Sequence, residues 1–242
     1  MHDFLIKSMW VGGPLSNMEK LSMMSFLKHG HRYQLFTYEE IEVPEGVELM
    51  DANEIVPKEL AFQTGGVDGS MQSWAGFSDL FRYKMLMDLG GWWVDTDFVC
   101  FKRFGFLDKY VFTGNNDSIS PGLVRVPVGC PMVKWAYETA LEKYSPEMKW
   151  GGISGLMEQG VRKFDLYKYK INPQWFFPVS KREILGPVSH LSVTTKALLA
   201  GANAAHCWNE IWRSEGHDKN KQYDPNCLYE LWLREYGIRK ND

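Results

Sequence analysis

The sequence predicts an α/β protein with an open sheet flanked by helices, and two stretches carry that prediction. The first is a strand–helix–strand opening, with strands at 4–11 and 33–38 around a helix that ends near Lys28. Units of this kind begin open α/β sheets. The second is a helix that ends at Gly90-Gly91 and leads into the apolar strand 92–94. Ligands of such sheets bind beyond the carboxyl ends of the strands.

The composition limits the class of protein. A chain of 242 residues can bury one full core, so we predict a single domain over 1–242, with halves at 1–100 and 101–242. A net charge of −3 argues against nucleic-acid binding, which usually needs a basic face. The four cysteines form no CxxC pair and suit a reduced, cytosolic protein. The absence of a secretion signal and of a long apolar run predicts a cytoplasmic protein.

The first strand runs into a turn at Gly12-Gly13-Pro14. Ser16 and Glu19 then form a capping-box pattern at the start of the first helix. The edge-of-sheet rule makes Met9 to Gly13 a candidate nucleotide-binding edge, with Trp10 either stacking on a base or packing under the sheet. Downstream, the patterns predict a strand at 47–50, a short helix at 54–62 and a glycine-rich loop at 63–73 beside the site.

The helix over 74–89 has two distinct faces. Apolar residues recur at three- and four-residue steps and form one stripe, whereas Ser78, Asp79 and Arg82 lie on another face. Glycines at 90 and 91 end the helix. The following strand carries Asp95 and Asp97 at its end, and both carboxylates point to one side if the strand continues. Two acids there are costly without a cation, so a divalent metal is the simplest candidate.

The remainder of the chain has weaker signals. Its one further polar cluster joins His206, Trp208 and Asn209 within four residues, although a histidine near aromatic rings is more often packed than functional. The patterns predict strands at 111–114 and 123–126, helices at 131–144, 153–161 and 228–236, a glycine-rich turn at 150–155, a strand or loop at 171–178 and a polar loop at 214–226.

The polar positions of 78–97 form a specific combination. The pattern Ser78-Asp79-x-x-Arg82-Tyr83, a Gly-Gly pair, two bulky apolar residues and Asp95-x-Asp97 resembles the hallmark of the DXD glycosyltransferases of family 32. Trp92 and Trp93 depart mildly from the family's apolar pair. The segments 9–12 and 206–209 are similar to the family's first strand and to its late His-x-Trp element. The resemblance covers 4–100 and 204–209.

The resemblance implies a GT-A type fold, Rossmann-like, whose first half binds a nucleotide sugar and whose second half meets the acceptor. It also implies roles by position. Asp79 would hold donor hydroxyls, Arg82 would meet the donor sugar or diphosphate, and Trp10 would pack on the base. Asp97 would be the direct ligand of the metal, Mn²⁺ or Mg²⁺. Asp95 would reach ribose, sugar or the metal through water, and His206 would be a second metal ligand or a diphosphate contact. The implied catalytic residues are Asp95, Asp97, Asp79 and Arg82, and the implied donor-binding residues are Met9, Trp10, Val11, Gly12, Ser78, Asp79, Arg82, Asp95, Trp208 and Asn209.

Members of this family mostly transfer sugars with retention of the anomeric configuration. The resemblance also implies transfer from a UDP- or GDP-sugar to a glycan or glycolipid, in cell-surface polysaccharide synthesis. A front-side mechanism, in which the departing diphosphate helps take the acceptor proton, needs no second base. A double displacement would need a carboxylate near the anomeric carbon, and Glu158, Asp165 and Glu210 are not ranked by sequence for that role. The Lys219–Lys221 loop is either a peripheral membrane contact or simply a solvated loop.

Two other functions fit parts of the sequence. Asp95-Thr96-Asp97-Phe98-Val99 also matches the DxDx[TV] motif of haloacid-dehalogenase-type phosphatases, with Asp95 as nucleophile. That motif normally follows a domain's first strand, whereas over 90 residues precede it here. The other alternative is a sugar-nucleotide-binding protein without turnover.

Overall fold

The computed structural model describes residues 4–65, 72–105, 108–143, 152–178 and 199–240. Its main feature is a six-stranded sheet in the order β3-β2-β1-β6-β9-β8. Two further pairs, β4 with β5 and β7 with β10, form separate small sheets. The strands are β1 Leu5–Met9, β2 Arg32–Thr37, β3 Val47–Asp51, β4 Thr64–Gly65, β5 Gln72–Ser73, β6 Gly91–Val94, β7 Phe98–Cys100, β8 Val111–Thr113, β9 Ser120–Val126 and β10 Ala204–His206.

The main sheet is mixed. Strands β3, β2, β1 and β6 run parallel, whereas β9 is antiparallel to β6 and to β8. The parallel register pairs Ile6 with Trp92 and Met9 with Phe36, so the carboxyl ends of β1, β2 and β6 lie along one edge. The predicted α/β class and open mixed sheet flanked by helices are confirmed.

The helices follow the predicted pattern closely. The Ser16–Glu19 capping box is present at the start of α1, and Gly90 terminates α2 with a φ of 56°. The final amphipathic helix is also confirmed. The helices are α1 Asn17–Lys28, α2 Ala75–Leu89, α3 Pro131–Lys143, α4 Gly155–Lys163, α5 Asn209–Ser214 and α6 Leu228–Glu235.

The core lies on both faces of the sheet. Along β6 the side chains alternate, so Trp93 packs with α2 and α3 while Trp92 packs on the opposite face with Phe26 and Phe104. This alternation explains why two adjacent tryptophans fit in one strand. A third buried cluster joins α1, α5 and α6 around Trp212. No helix among the described residues is long and apolar enough to cross a membrane.

Two of the predicted elements differ from the structure. The helix expected over 54–62 is wrong: two 3₁₀ turns, Ala52–Glu54 and Lys58–Leu60, lie on either side of Pro57. Proline disfavours helical backbone in the residue before it, which separates the turns. The loop expected over 63–73 has paired ends, β4 and β5, and its residues 66–71 lie outside the described part.

The weak region between 150 and 178 is partly described. Residues 150–151 of the glycine-rich turn lie outside the described residues, and α4 begins at Gly155. The segment 171–178, expected as a strand or loop, contains the 3₁₀ turn Pro173–Trp175.

Candidate active site

The two aspartates lie in a turn, not in a continuing strand. Strand β6 ends at Val94 and the chain resumes as β7 at Phe98, so the expectation of an uninterrupted strand is wrong. The backbone N–H of Asp95 donates to the carbonyl of Gly122 (2.7 Å), and the carbonyl of Asp97 accepts from the N–H of Cys207 (2.8 Å). The turn is therefore held between β9 and the C-terminal part of the chain.

The turn brings three metal-ligand side chains together. One ligand atom from each of Asp95, Asp97 and His206 lies within 4.8 Å of the other two. Strand β10 pairs antiparallel with β7 and sets His206 opposite Phe98, which explains how a residue 109 positions after Asp97 reaches it. The side chains of Asp97 and His206 are only 9% and 11% exposed.

Aromatic rings fix the orientation of His206. Its ring stacks on Phe98 at a centroid distance of 4.5 Å and an interplanar angle of 8°, and Trp208 lies 4.3 Å away at a tilt of 41°. Phe177 meets its edge at 5.6 Å. The imidazole is thus clamped with one nitrogen toward the carboxylates, so little conformational freedom would be lost when it binds a ligand.

Some polar atoms of Asp97 and His206 have hydrogen-bond partners and others have none among the described residues. Oδ2 of Asp97 accepts from the Asn209 N–H (2.7 Å) and lies 3.1 Å from Nε2 of His206. Within the described part of the chain, Oδ1 of Asp97 and Nδ1 of His206 are buried without a hydrogen-bond partner. Burial opposes ionisation of the Asp97 carboxyl, but His206, the Asn209 N–H and Lys219 outweigh it and hold the pKa below its ordinary value.

A buried arginine organises the other aspartate. Nη2 of Arg82 donates to Oδ1 of Asp95 (2.7 Å), and Nη1 donates to Oδ1 of Asp79. The Trp93 indole N–H also donates to Oδ1 of Asp95 (2.7 Å). Burial raises the pKa of the Asp79 carboxyl to about 6, against the opposing charge of Arg82. Since Oδ1 of Asp95 has two donors, its Oδ2 is the oxygen that remains for a ligand.

That second oxygen points at a glycine. A Cβ at Gly122 would lie 2.9 Å from Oδ2 of Asp95 and 3.3 Å from the ring of Phe98. Both distances are shorter than ordinary van der Waals contact between a side chain and its neighbours. Glycine at 122 therefore gives the Asp95 carboxylate its room on β9.

A surface crevice lies at the carboxyl ends of β1 and β2. It is shallow, with an enclosed volume of about 20 Å³. The Trp10 indole N–H donates to the carbonyl of Gly13 (2.9 Å), which orients the ring at this edge. The side chain of Met9 is instead buried in the core. The lining residues are Trp10, Val11, Gly12, Gly13, Thr37, Tyr38, Glu39, Ile41 and Lys58.

Two predicted donor-binding residues have distinctive positions. Trp208 has a left-handed backbone (φ 57°, ψ 54°), an uncommon conformation for a residue with a large side chain, and its buried indole N–H has no partner among the described residues. Ser78 is half-buried on α2 next to Asp79.

The trio suits a divalent cation. Carboxylate oxygens and an imidazole nitrogen are common ligands of Mn²⁺, and carboxylate oxygens also suit Mg²⁺. The unpartnered Oδ1 of Asp97 and Nδ1 of His206 agree with a ligand in this position. The cluster is therefore compatible with a divalent metal ion.

Part of the sequence matches a known protein family. Residues 17–119 match the family described as "Glycosyltransferase sugar-binding region containing DXD motif". The predicted resemblance to DXD glycosyltransferases is confirmed for this stretch. It contains α2, the Arg82 network and the Asp95–Asp97 turn, and it supports the glycosyltransferase class of enzyme. The mixed sheet with flanking helices agrees with the GT-A type that the resemblance implies.

Two solved structures are similar to the chain in part. One, named "PaToxG Glycosyltransferase", is 14% identical with a TM-score of 0.48, over 97% of this chain and 84% of that one. The other, a transferase mutant, is 10% identical with a TM-score of 0.44, over 68% of this chain and 84% of that one. Both TM-scores are below 0.5. No curated protein matches the chain by sequence.

Several residues near the site were not predicted from the sequence. Thr37 and Tyr38 line the crevice, and the end of the predicted second strand was a usable signal for them. Gly122 and Phe177 had no signal, because the pairing of β9 with β6 and the position of 171–178 are tertiary features. Lys219 was assigned to a solvated or membrane-facing loop, whereas its ammonium lies 2.5 Å from the buried Glu19.

Proposed function

We propose that the protein is a metal-dependent glycosyltransferase that moves a sugar from a UDP- or GDP-sugar to a glycan or glycolipid acceptor. The observation that carries this proposal is the convergence of Asp95, Asp97 and His206, with ligand atoms within 4.8 Å, at the sheet edge that also holds the Trp10 crevice. The sugar-binding-region match over 17–119 supports the same reaction class.

The contacts of each residue support a separate role for it in the proposed reaction. Asp97, His206 and Oδ2 of Asp95 would hold Mn²⁺ or Mg²⁺, which when bound would offset the negative charge that develops on the departing diphosphate. Arg82 and Trp93 hold Oδ1 of Asp95 and so orient its carboxylate. Arg82 is 3% exposed, which favours positioning over direct contact with the donor.

The donor would extend along the sheet edge. Trp10, Val11 and Gly12 line the crevice that we assign to the base, whereas the side chain of Met9 is buried and supports the edge from the core. The indole N–H of Trp208 is buried without a partner among the described residues, and we assign it to an oxygen of the nucleotide sugar. The backbone of Asn209 already holds Asp97. Ser78 and Asp79 stay assigned to donor hydroxyls by their positions in the motif.

We propose retention of configuration by a front-side route. A double displacement needs a carboxylate near the reacting carbon. The three acids considered for that role differ in their exposure and in their hydrogen-bond partners. The Asp165 side chain is 95% exposed, and Glu210 is held by Arg213. Glu158 accepts from the N–H of Ile119 (3.2 Å), the residue before β9, and β9 contacts Asp95 through Gly122. Arg162 also donates to the Glu158 carboxylate. If the reaction were a double displacement, Glu158 would be the first of the three acids to test as its nucleophile.

We propose a single catalytic domain that works in the cytoplasm on precursors of a cell-surface polysaccharide. Peripheral contact with a membrane would use the 219–221 loop. In that loop Lys221 is exposed, while Lys219 faces Glu19 and leaves Lys221 as the lysine available to lipid.

The test is a panel of UDP- and GDP-sugars incubated with purified protein and Mn²⁺, with release of nucleoside diphosphate as the readout and EDTA as the metal-free arm. We expect release from one donor, dependent on the metal, with the anomeric configuration of the product read by NMR. An inverted product would contradict the front-side route.

The same assay separates the alternatives. Hydrolysis of phosphomonoesters that is lost in Asp95→Asn would identify a phosphatase. Binding of a nucleotide sugar without turnover, with every acceptor and with water, would identify a binding protein. No feature of the described residues favours either alternative over sugar transfer.

A further inference from the structure

Lys219 reaches the candidate site from the far end of the chain. Its ammonium lies 5.5 Å from the centroid of the Trp10 ring, which lines the crevice, and 2.5 Å from Oε1 of Glu19. The side chain is 20% exposed, so it is neither a freely solvated lysine nor a fully buried one. A partly covered ammonium beside a ligand crevice is placed to meet an anion.

The backbone around Lys219 is firmly held. The Tyr229 hydroxyl donates to the carbonyl of Lys219 (2.8 Å), and Arg239 donates to the carbonyls of Asn220 (3.1 Å) and Lys221 (2.6 Å). The Asn220 side chain accepts from the N–H of Asn17 at the start of α1 (3.0 Å). The lysine is therefore oriented before any ligand arrives, which lowers the entropy cost of binding one.

Glu19 uses only part of the hydrogen-bonding capacity of Lys219. This carboxylate is fully buried, and its Oε2 accepts from the N–H (2.7 Å) and hydroxyl (2.5 Å) of Ser16. Its Oε1 accepts from Lys219. An ammonium has three donors, so two are not used by Glu19. Glu19 thus fixes the position of the charge and leaves it able to bind a second anion.

Lys219 lies beside the ring of Trp10, which lines the crevice assigned to the base. A nucleotide sugar with its base at Trp10 and its metal at Asp97 must carry its phosphates between them. Arg82, the cation that contacts Asp95, already donates to two aspartates and is nearly buried.

We propose that Lys219 binds the diphosphate of the nucleotide-sugar donor, held in place by the buried carboxylate of Glu19. This inference rests on the proposed function, since it takes the donor to be a nucleoside diphosphate sugar. Lys219 would contribute to donor affinity and stabilise the negative charge on the departing diphosphate.

The test measures dissociation constants for UDP and GDP with Mn²⁺ by calorimetry, and for uridine and guanosine by ligand-observed NMR. Because Lys219→Met leaves the buried Glu19 unpaired, the decisive comparison is Glu19→Gln against the double variant Glu19→Gln, Lys219→Met. Both lack the buried charge, and they differ only in the ammonium. Lys221→Met, two residues away on the exposed side of the loop, is the matched control, and thermal melts check folding.

The expected result is at least a tenfold weaker Kd for the nucleoside diphosphate in the double variant than in Glu19→Gln, with the nucleoside Kd unchanged. Lys221→Met should bind like wild type. Equal diphosphate affinity in the two Glu19 variants would overturn the assignment and leave Lys219 as a structural partner of Glu19, while the proposed function stands. Failure of wild type to bind UDP or GDP would overturn the proposed function and this inference together.

Discussion

Nε2 of His206 lies 3.1 Å from Oδ2 of Asp97, although the two residues are 109 positions apart in the sequence. The contact exists because β10 pairs with β7 and because Asn209, at the start of α5, donates to the same carboxylate. The C-terminal segment therefore contacts the Asp95–Asp97 turn directly, and the candidate metal site draws on both halves of the chain.

His206→Gln should weaken Mn²⁺ binding at least tenfold, which corresponds to about 1.4 kcal/mol. The substitution removes the imidazole ligand while keeping a polar side chain between Phe98 and Trp208. Electron paramagnetic resonance of free Mn²⁺ measures the affinity without any substrate. His217→Gln, which changes a partly exposed histidine paired with Glu215, is the matched control. Equal Mn²⁺ affinity in wild type and His206→Gln would exclude His206 as a ligand.

Arg82→Met should destabilise the fold by about 3–5 kcal/mol, because it leaves the carboxylates of Asp79 and Asp95 without their shared buried cation. Urea denaturation measures the loss. Lys84→Met, on the same helix, removes a partly exposed pair with Asp88 and should cost less than about 1 kcal/mol. Similar losses for the two variants would show that the Arg82 network is not a buried ionic centre.

Gly122→Ala should lower metal affinity and also lower the melting temperature, because the displaced Asp95 carboxylate loses its hydrogen bonds with Arg82 and Trp93. The new methyl group would lie 2.9 Å from Oδ2 of Asp95, whose other oxygen is fixed by Arg82 and Trp93, so the carboxylate must rotate away. Gly105→Ala is the control, since a Cβ there meets nothing within 4 Å. The Mn²⁺ titration and a thermal melt are measured for both. An unchanged Mn²⁺ affinity in Gly122→Ala would mean that Oδ2 of Asp95 is not a ligand.

Stability should fall below pH 6.5 because of His31. Its ring nitrogens lie 3.2 Å from the carbonyl of Phe4 and 3.2 Å from the N–H of Phe104, and burial lowers its pKa from 6.5 to about 4. The unfolded chain thus takes up a proton first, so the contribution is complete above pH 6.5 and is lost as pH falls to about 4. At about 1.4 kcal/mol per pKa unit, the loss is about 3 kcal/mol.

The measurement is the free energy of unfolding in urea between pH 7 and pH 4, for wild type and His31→Asn. The wild-type free energy of unfolding should fall more steeply with acid than that of His31→Asn, by about 3 kcal/mol between pH 7 and pH 4. Parallel curves for wild type and His31→Asn would rule out the His31 contribution.

Local patterns predicted the elements that local physics determines. The capping box at Ser16 and Glu19, the glycine stop at Gly90 and the polar face of α2 each follow from spacing within a few residues. The Asp95–Asp97 pair was singled out as the end of a strand, whereas it lies in a turn between β6 and β7. Its turn depends on the Gly122 carbonyl and on Cys207, which are distant in the chain.

Pairings across long separations were beyond sequence reasoning. Glu19 and Lys219 are 200 positions apart, and each had a sufficient local interpretation, as a capping residue and as part of a polar loop. His206 entered the prediction through the family resemblance, since a lone histidine among rings is usually packed. The structure shows that it is both packed between rings and aimed at a carboxylate.

The central claim is that Asp97 anchors a catalytic metal, and the most direct test is the steady-state rate of nucleoside diphosphate release from the preferred donor with Mn²⁺. Asp97→Ala removes the carboxylate that joins the turn to His206 and Asn209, whereas Asp108→Ala alters an exposed aspartate and serves as the control. We expect a loss of at least a hundredfold in kcat/KM for Asp97→Ala, about 2.7 kcal/mol, and wild-type rates for Asp108→Ala. Equal rates for wild type and Asp97→Ala with every donor would contradict the account.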